Sequence, residues 1–320
     1  MTLSLKKLIW AGAIAALTPA ISLAGSDILL PDPAFAPEGI AVDGAGNLYI
    51  GSLTQGRLAK ITAKPHTVTD FVEAGTNGMV TVVGLHVSGD TVFACSSDPG
   101  IGALTGTAAP ALVAFDAASG TPAGRFELPE GGGFCNDITE LPDGTILATD
   151  SFSPRIYALK PGADQLEVWF EDPQFAGEGF NLNGIAYDDG AVYVVRYNTG
   201  TLHRITLAEG SMSGTVESLP LPRAINGADG LNALGDGRFL VVEGGGLSAG
   251  ARGALLGITL TDATAKMETL APDMNVPTTA AVFEGIAYVV EGQLDHLFDP
   301  TAGAPDAYKI RAIALPENYR

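Results

Sequence analysis

Glu38-Gly-Ile-Ala-Val42, Asp43-Gly-Ala-Gly-Asn47 and Leu48-Tyr-Ile-Gly-Ser52 read in succession as a short apolar strand, a glycine-rich turn and a returning apolar strand. Five later segments repeat the unit. They are Val83-Gly-Leu-His-Val with Thr91-Val-Phe-Ala-Cys95, Asn136-Asp-Ile-Thr-Glu with Thr145-Ile-Leu-Ala-Thr149, Asn183-Gly-Ile-Ala-Tyr with Ala191-Val-Tyr-Val-Val195, Asp229-Gly-Leu-Asn-Ala with Arg238-Phe-Leu-Val-Val242, and Thr278-Thr-Ala-Ala-Val with Ile286-Ala-Tyr-Val-Val290. The starts lie 45, 53, 47, 46 and 49 residues apart. Each period has room for two more strands, as at residues 57–61 with 67–73 and 155–159 with 165–170. Four short antiparallel strands at this spacing describe a propeller blade. The apolar runs are too short and lack the helical period, which excludes a helical solenoid.

The expected fold is therefore all-β, a six-bladed β-propeller. The sixth repeat supplies a third strand at residues 308–315 and the chain stops before a fourth. Residues 27–31 precede Glu38 at the distance that an outer strand precedes the next blade, so the N-terminal segment is expected to supply the outer strand of the last blade and leave no open edge.

Composition sets the surroundings. Lysines 6 and 7, an apolar run over residues 8–17 and the small residues Ser22 and Ala24 predict a cleavable signal peptide over residues 1–24, with residues 25–320 as one propeller domain in a secreted or periplasmic protein. No later run is long enough to span a bilayer, so stable membrane insertion is not expected. A formal net charge of −19 argues against nucleic acid or an anionic membrane as partner, and suits a cation. A monomer is expected. The two cysteines, Cys95 and Cys135, read equally well as one disulfide or as two buried small side chains, because sequence does not supply their separation.

The first residues of the six repeats form a ring at one end of the central channel: Glu38, Val83, Asn136, Asn183, Asp229, Thr278. Four present a carboxylate or amide oxygen. Two carboxylates aimed at one narrow axis repel each other and lose hydration, a costly arrangement that a cation relieves. Asn-Gly and Asp-Gly are also common hairpin turns. Those turns are accounted for separately by Asp43-Gly44, Asp143-Gly144, Asp189-Gly190 and Asp236-Gly237, so the ring residues sit at strand entrances. We read Glu38, Asn136, Asn183 and Asp229 as ligands of one divalent ion. Oxygen-only donors favour Ca2+ over Mg2+, Mn2+ or Zn2+. The four histidines show no paired spacing of the kind zinc sites use. Of these, His296 lies near the channel mouth and is a candidate substrate contact.

The order Glu, Asn, Asn, Asp, within Pro37-Glu38-Gly39, Cys135-Asn136-Asp137-Ile138, Asn183-Gly184-Ile185 and Asp229-Gly230-Leu231, resembles the gluconolactonase and senescence-marker-protein (regucalcin) family, to which paraoxonases and diisopropyl fluorophosphatase are related. The resemblance implies a catalytic divalent ion and hydrolysis of lactones or related esters. It makes Glu38, Asn183 and Asp229 metal ligands, and Asn136 a ligand or substrate contact. Sugar lactonases of that family carry an arginine where this chain has Phe134, and paraoxonases a histidine where it has Val83. Both departures point to a less polar lactone or ester.

On this reading Asp229, or another carboxylate near the mouth, takes a proton from the attacking water. Residues at the ends of the returning strands reach the same face: Ser52, Ser96, Asp150, Arg196, Tyr197, Glu243 and Glu291. The expected substrate contacts are Asn136, Phe134, Val83, Arg196, Tyr197, Thr278 and His296. Inserts at 97–111, 244–252 and 293–306 follow strands ending on that face and should wall a pocket. Two other readings share these residues: a binding propeller stapled by structural calcium, and a lyase or cyclase using the same ion.

Overall fold

The computed structural model describes residues 26–129, 133–207, 214–261 and 264–320. The expected signal peptide lies outside the described residues. Six four-stranded antiparallel sheets form the blades. From the axis outward, blade one is Pro37–Val42, Leu48–Ser52, Leu58–Ile61 and Val68–Val72, and blade two is Leu85–Ser88, Thr91–Ser96, Ala111–Asp116 and Pro122–Glu127. Blade three is Cys135–Glu140, Ile146–Asp150, Arg155–Leu159 and Glu167–Glu171; blade four is Leu182–Asp188, Ala191–Arg196, Thr201–Leu207 and Gly214–Ser218. Blade five comprises Ala228–Gly235, Arg238–Glu243, Gly253–Leu260 and Ala265–Met274. In blade six Pro277–Phe283, Ile286–Glu291 and Lys309–Ala314 are completed by Ile28–Leu29, with Ile28 opposite Ile310. This is the expected six-bladed ring, closed by the N-terminal strand.

The second strand of each blade reads as a continuous apolar run because sheets cover both of its faces. Leu48–Ser52 and Ile146–Asp150 are buried at every position, whereas the outer strand Val68–Val72 buries only Val72. The core is a set of layers between blades. Tyr49 and Leu58 of blade one meet Val92, Val113 and Phe115 of blade two, and Tyr193 of blade four meets Phe239 of blade five. The closing layer packs Ile28 and Ile310 against Leu48 and Ile50. Hairpins turn where the sequence placed them: Asp189-Gly190 and Asp236-Gly237 have positive φ at both residues, the requirement of the two-residue turn that matches strand twist.

Cys95 and Cys135 are bonded, with Cα atoms 5.1 Å apart. The bridge ties the second strand of blade two to the innermost strand of blade three, one residue before Asn136.

Candidate metal centre and its pocket

Five of the six innermost strands carry a β-bulge at the ring position. In blade one Pro37 pairs with Ser52 and Ile40 with Ile50, so Glu38 and Gly39 together face only Gly51. The same shift falls between Cys135 and Ile138, Leu182 and Ile185, Ala228 and Leu231, and Pro277 and Ala280. A bulge breaks the alternation of side chains and re-aims one of them, and here it turns Glu38, Asn136, Asn183 and Asp229 toward one pocket at the end of the axis. The residue after each ring member explains the recurring glycine. A Cβ on Gly39 would lie 1.9 Å from the Val83 carbonyl oxygen, on Gly84 2.3 Å from that of Asn136, and on Gly184 2.4 Å from that of Asp229. The blades approach so closely at the axis that a side chain is excluded.

All four ring residues that carry a carboxylate or amide are buried, between 5% and 7% exposed. Asn136 donates through Nδ2 to Ser151 Oγ at 2.9 Å, which fixes its amide and leaves the carbonyl oxygen for the axis. Burial, and then the Asp229 and Asp137 carboxylates, push Glu38 well above the usual glutamate range. Burial and Asp137 push Asp229 up as well, against a hydrogen bond from Asn183. Thr278 donates from Oγ1 to the Glu38 carbonyl at 2.7 Å, joining blade six to blade one.

Asp137 is the group that sequence reasoning missed. It occupies the position that is glycine in four repeats, and Gly84 of the preceding blade makes room for it. Burial lifts it to about 7 even though it accepts from the Ile138 and Ile185 amides, the latter at 3.1 Å. It lines the central channel beyond the ring, beside Ile40, Leu85, His86 and Thr279. The departure from Asn-Gly to Asn136-Asp137 was the available signal.

The ring forms the polar floor of an open pocket. Val83, Phe134 and Tyr197 line it with the four oxygen donors, as do Phe180 and Leu53. Each expected insert contributes to the wall: Pro99 from residues 97–111, Leu247 from 244–252, and Leu294 with Phe298 from 293–306. Two of the inserts hold each other, because Asp295 Oδ2 accepts from Gly250 N at 3.0 Å and Asp299 Oδ2 from Ala249 N at 2.9 Å. Three expected contacts are placed elsewhere. Arg196 donates to Asn181 Oδ1 and the Ala176 carbonyl, both at 3.1 Å. His296 Nδ1 lies 3.1 Å from the Gly303 carbonyl, and Thr278 is fully buried beneath the floor.

The strand-end residues have a common structural task. Ser52 Oγ donates to the Phe35 carbonyl; Ser96 Oγ accepts from Val80 N at 2.9 Å; Asp150 Oδ1 accepts from Phe134 N at 2.7 Å. Arg196 holds the Asn181 side chain, Glu243 Oε1 accepts from Asn226 N at 2.8 Å, and Glu291 Oε1 from Asn275 N at 3.1 Å. Every partner lies two or three residues before a ring position. One side chain per blade thus latches the segment that delivers the ring residue.

The donor set fits a hard cation. Two carboxylates are held at the axis against burial and mutual repulsion, with one amide oriented by Ser151 to offer oxygen, and all four donors are oxygens under an open pocket.

The sequence matches no protein-family model and no curated protein. Solved structures with the same shape are numerous. Virginiamycin B lyase from Staphylococcus aureus, a catalytically inactive variant with quinupristin, is 20% identical with a TM-score of 0.59, covering 82% of this chain and 80% of its own. The calcium-binding protein regucalcin from Agrobacterium tumefaciens is 17% identical with a TM-score of 0.63, covering 92% and 96%. A structural-genomics protein assigned provisionally as a gluconolactonase is 15% identical with a TM-score of 0.62, covering 93% and 96%. At these identities the likeness establishes the propeller fold.

Proposed function

We propose that the protein is a metal-dependent hydrolase of a lactone or related ester, akin to the gluconolactonase and regucalcin family, in which Glu38, Asn136, Asn183 and Asp229 hold a divalent cation, Ca2+ before Mg2+, Mn2+ or Zn2+. The observation that carries this reading is the convergence of two buried carboxylates and two amides on the floor of an open pocket. A bound ion there supplies Lewis acidity to a substrate carbonyl. The chain's own residues supply the rest. Asp229 would take a proton from the attacking water, and Ser151 holds the Asn136 amide in register beneath the open pocket. An open pocket over the donors favours catalysis over a purely structural ion, whose site would be closed. The paired cysteines and the N-terminal composition support an exported protein.

The test is a hydrolysis screen over lactones, aryl esters and phosphotriesters with and without chelator. Chelator-sensitive turnover of a lactone or ester, restored by Ca2+, is the expected result. Turnover that survives verified metal removal would sink the proposal, and the absence of any turnover would put the binding propeller ahead of the enzyme.

A further inference from the structure

Above its polar floor the pocket has a wall of a different chemistry. Phe134, Phe152 and Phe180 pack as a triangle with ring centroids 5.0, 5.2 and 5.3 Å apart. Phe180 extends the cluster to Tyr197 at 6.3 Å and Phe298 at 6.5 Å. These separations are those at which aromatic rings attract one another edge-on or tilted, so another ring could join the cluster on the same terms. The five side chains come from the entrance to blade three, the end of its second strand, the entrance to blade four, the end of that blade's second strand and the 293–306 insert.

The cluster is built onto fixed backbone. Asp150 Oδ1 accepts from both Phe134 N, at 2.7 Å, and Phe152 N, at 2.9 Å, so one buried carboxylate sets two of the three phenylalanines. The loop carrying Phe180 is folded around Asn181, whose Nδ2 donates to the Gly177 and Gly179 carbonyls at 3.0 Å each. Phe152 is 51% exposed and, with Leu29, is one of two large apolar side chains left exposed among the described residues. Leu29 lies on the outer strand of blade six; Phe152 packs against Phe134 and Phe180, which line the pocket.

We infer that this wall is a subsite for an aromatic substituent on the substrate, with Phe180 and Phe152 as its specificity-determining residues. The inference rests on the hydrolase reading only for what happens at the floor. A polyhydroxylated ligand would lose water from its hydroxyls and find only the Tyr197 hydroxyl among the four aromatic side chains that line the wall, a penalty with little return. A ligand with a carbonyl at one end and an aromatic ring at the other meets oxygen donors below and phenyl faces above.

Binding and turnover are measured separately on the calcium-loaded protein. 2-Phenylcyclopentanone and 2-methylcyclopentanone, ketones that cannot be hydrolysed, report binding by calorimetry; γ-phenyl- and γ-methyl-γ-butyrolactone report turnover. The wild type is expected to prefer each phenyl compound by about 10–100-fold. Phe180→Ala should reduce that preference about tenfold, and Phe152→Ala, at an exposed site where folding is not at risk, should reduce it by a smaller factor. An equal response to phenyl and methyl ketones, or a phenyl preference intact in both variants, overturns the subsite. Phenyl-selective ketone binding that Phe180→Ala weakens, with neither lactone turned over, leaves the subsite standing and removes the hydrolase reading. Turnover of both lactones at equal rates does the reverse.

Discussion

Replacing Asp229 by asparagine should change stability in opposite directions with and without a cation. In chelator at pH 8, the folded protein holds the Asp229 carboxylate in a buried site beside Asp137, and both burial and that neighbour raise its affinity for a proton. An asparagine has the same shape without the charge, so chelated Asp229→Asn should be more stable than chelated wild type by about 1–3 kcal/mol, the usual cost of an unsatisfied buried polar group, or about 2–5 °C in Tm for a chain of this size. In Ca2+ the order should invert. A ligand at a hundred times its Kd stabilises the native state by about 2.7 kcal/mol, and most of that gain is lost when one of the two carboxylates on the floor is neutralised. Differential scanning calorimetry of both proteins, each with chelator and with Ca2+, gives the four values needed. Turnover of the best lactone by Asp229→Asn should also fall by at least about a hundredfold if the carboxylate is the base. An Asp229→Asn protein destabilised equally with chelator and with Ca2+ would refute the argument, since the carboxylate would then be satisfied by the protein alone.

Three further outcomes are expected. Ser151→Ala frees the Asn136 amide to rotate and should weaken Ca2+ binding about 10–100-fold by calorimetry, while far-UV circular dichroism stays unchanged. Replacing both Cys95 and Cys135 by serine opens a crosslink across a sequence separation of 40 and should cost about 4 kcal/mol in urea unfolding; a loss under about 1 kcal/mol would show that the denatured chain was little constrained. Burial, followed by the nearby Arg196 charge, depresses His203 to about 4, so it is neutral when folded but takes up a proton on unfolding below its ordinary value near 6.5. Stability attributable to His203 is therefore complete above pH 6.5, declines by up to about 1.4 kcal/mol per pH unit between 6.5 and 4, and is gone below 4. The Tm of His203→Leu should lack that component, and parallel pH profiles for the two proteins would contradict it.

The fold was legible because a propeller writes its blade period directly into the chain: apolar strands recur, and the turns between them carry Asp-Gly at the hairpin positions. The ring was legible for the same reason, since equivalent places in the repeats become neighbours around the axis. What repetition does not encode is the direction of a side chain at a strand end. Arg196 and Glu243 stand in sequence as free polar groups at the pocket, but each is turned back onto the entrance of its own blade. Asp137 was hidden by standing next to a stronger candidate. The Cys95–Cys135 bond was left open because 40 residues of sequence carry no information about a Cα separation of 5.1 Å. Phe134, Phe152 and Phe180 stand on neighbouring blades, but nothing in their spacing shows that their rings meet, and Phe298 joins them only because the blades close into a ring.

The clasp between Ile28–Leu29 and Lys309–Ala314 has a consequence for assembly. A chain emerging from its N-terminus must hold its first strand unpaired while nearly all the remaining residues follow, because the partner of Ile28 is Ile310. Blades one to five contain all four of their own strands and can form in order as they appear, but the circle cannot lock until the last blade arrives. Until then blade one and the incomplete sixth blade both present bare apolar flanks, including Leu48, Ile50 and Tyr288, which are the surfaces a chaperone or a second unfinished molecule would engage. Trimming a few residues ahead of Leu30 would leave most of the polypeptide intact and yet slow the committing step of folding, with the damage appearing as lower yield during synthesis and not as a weaker blade.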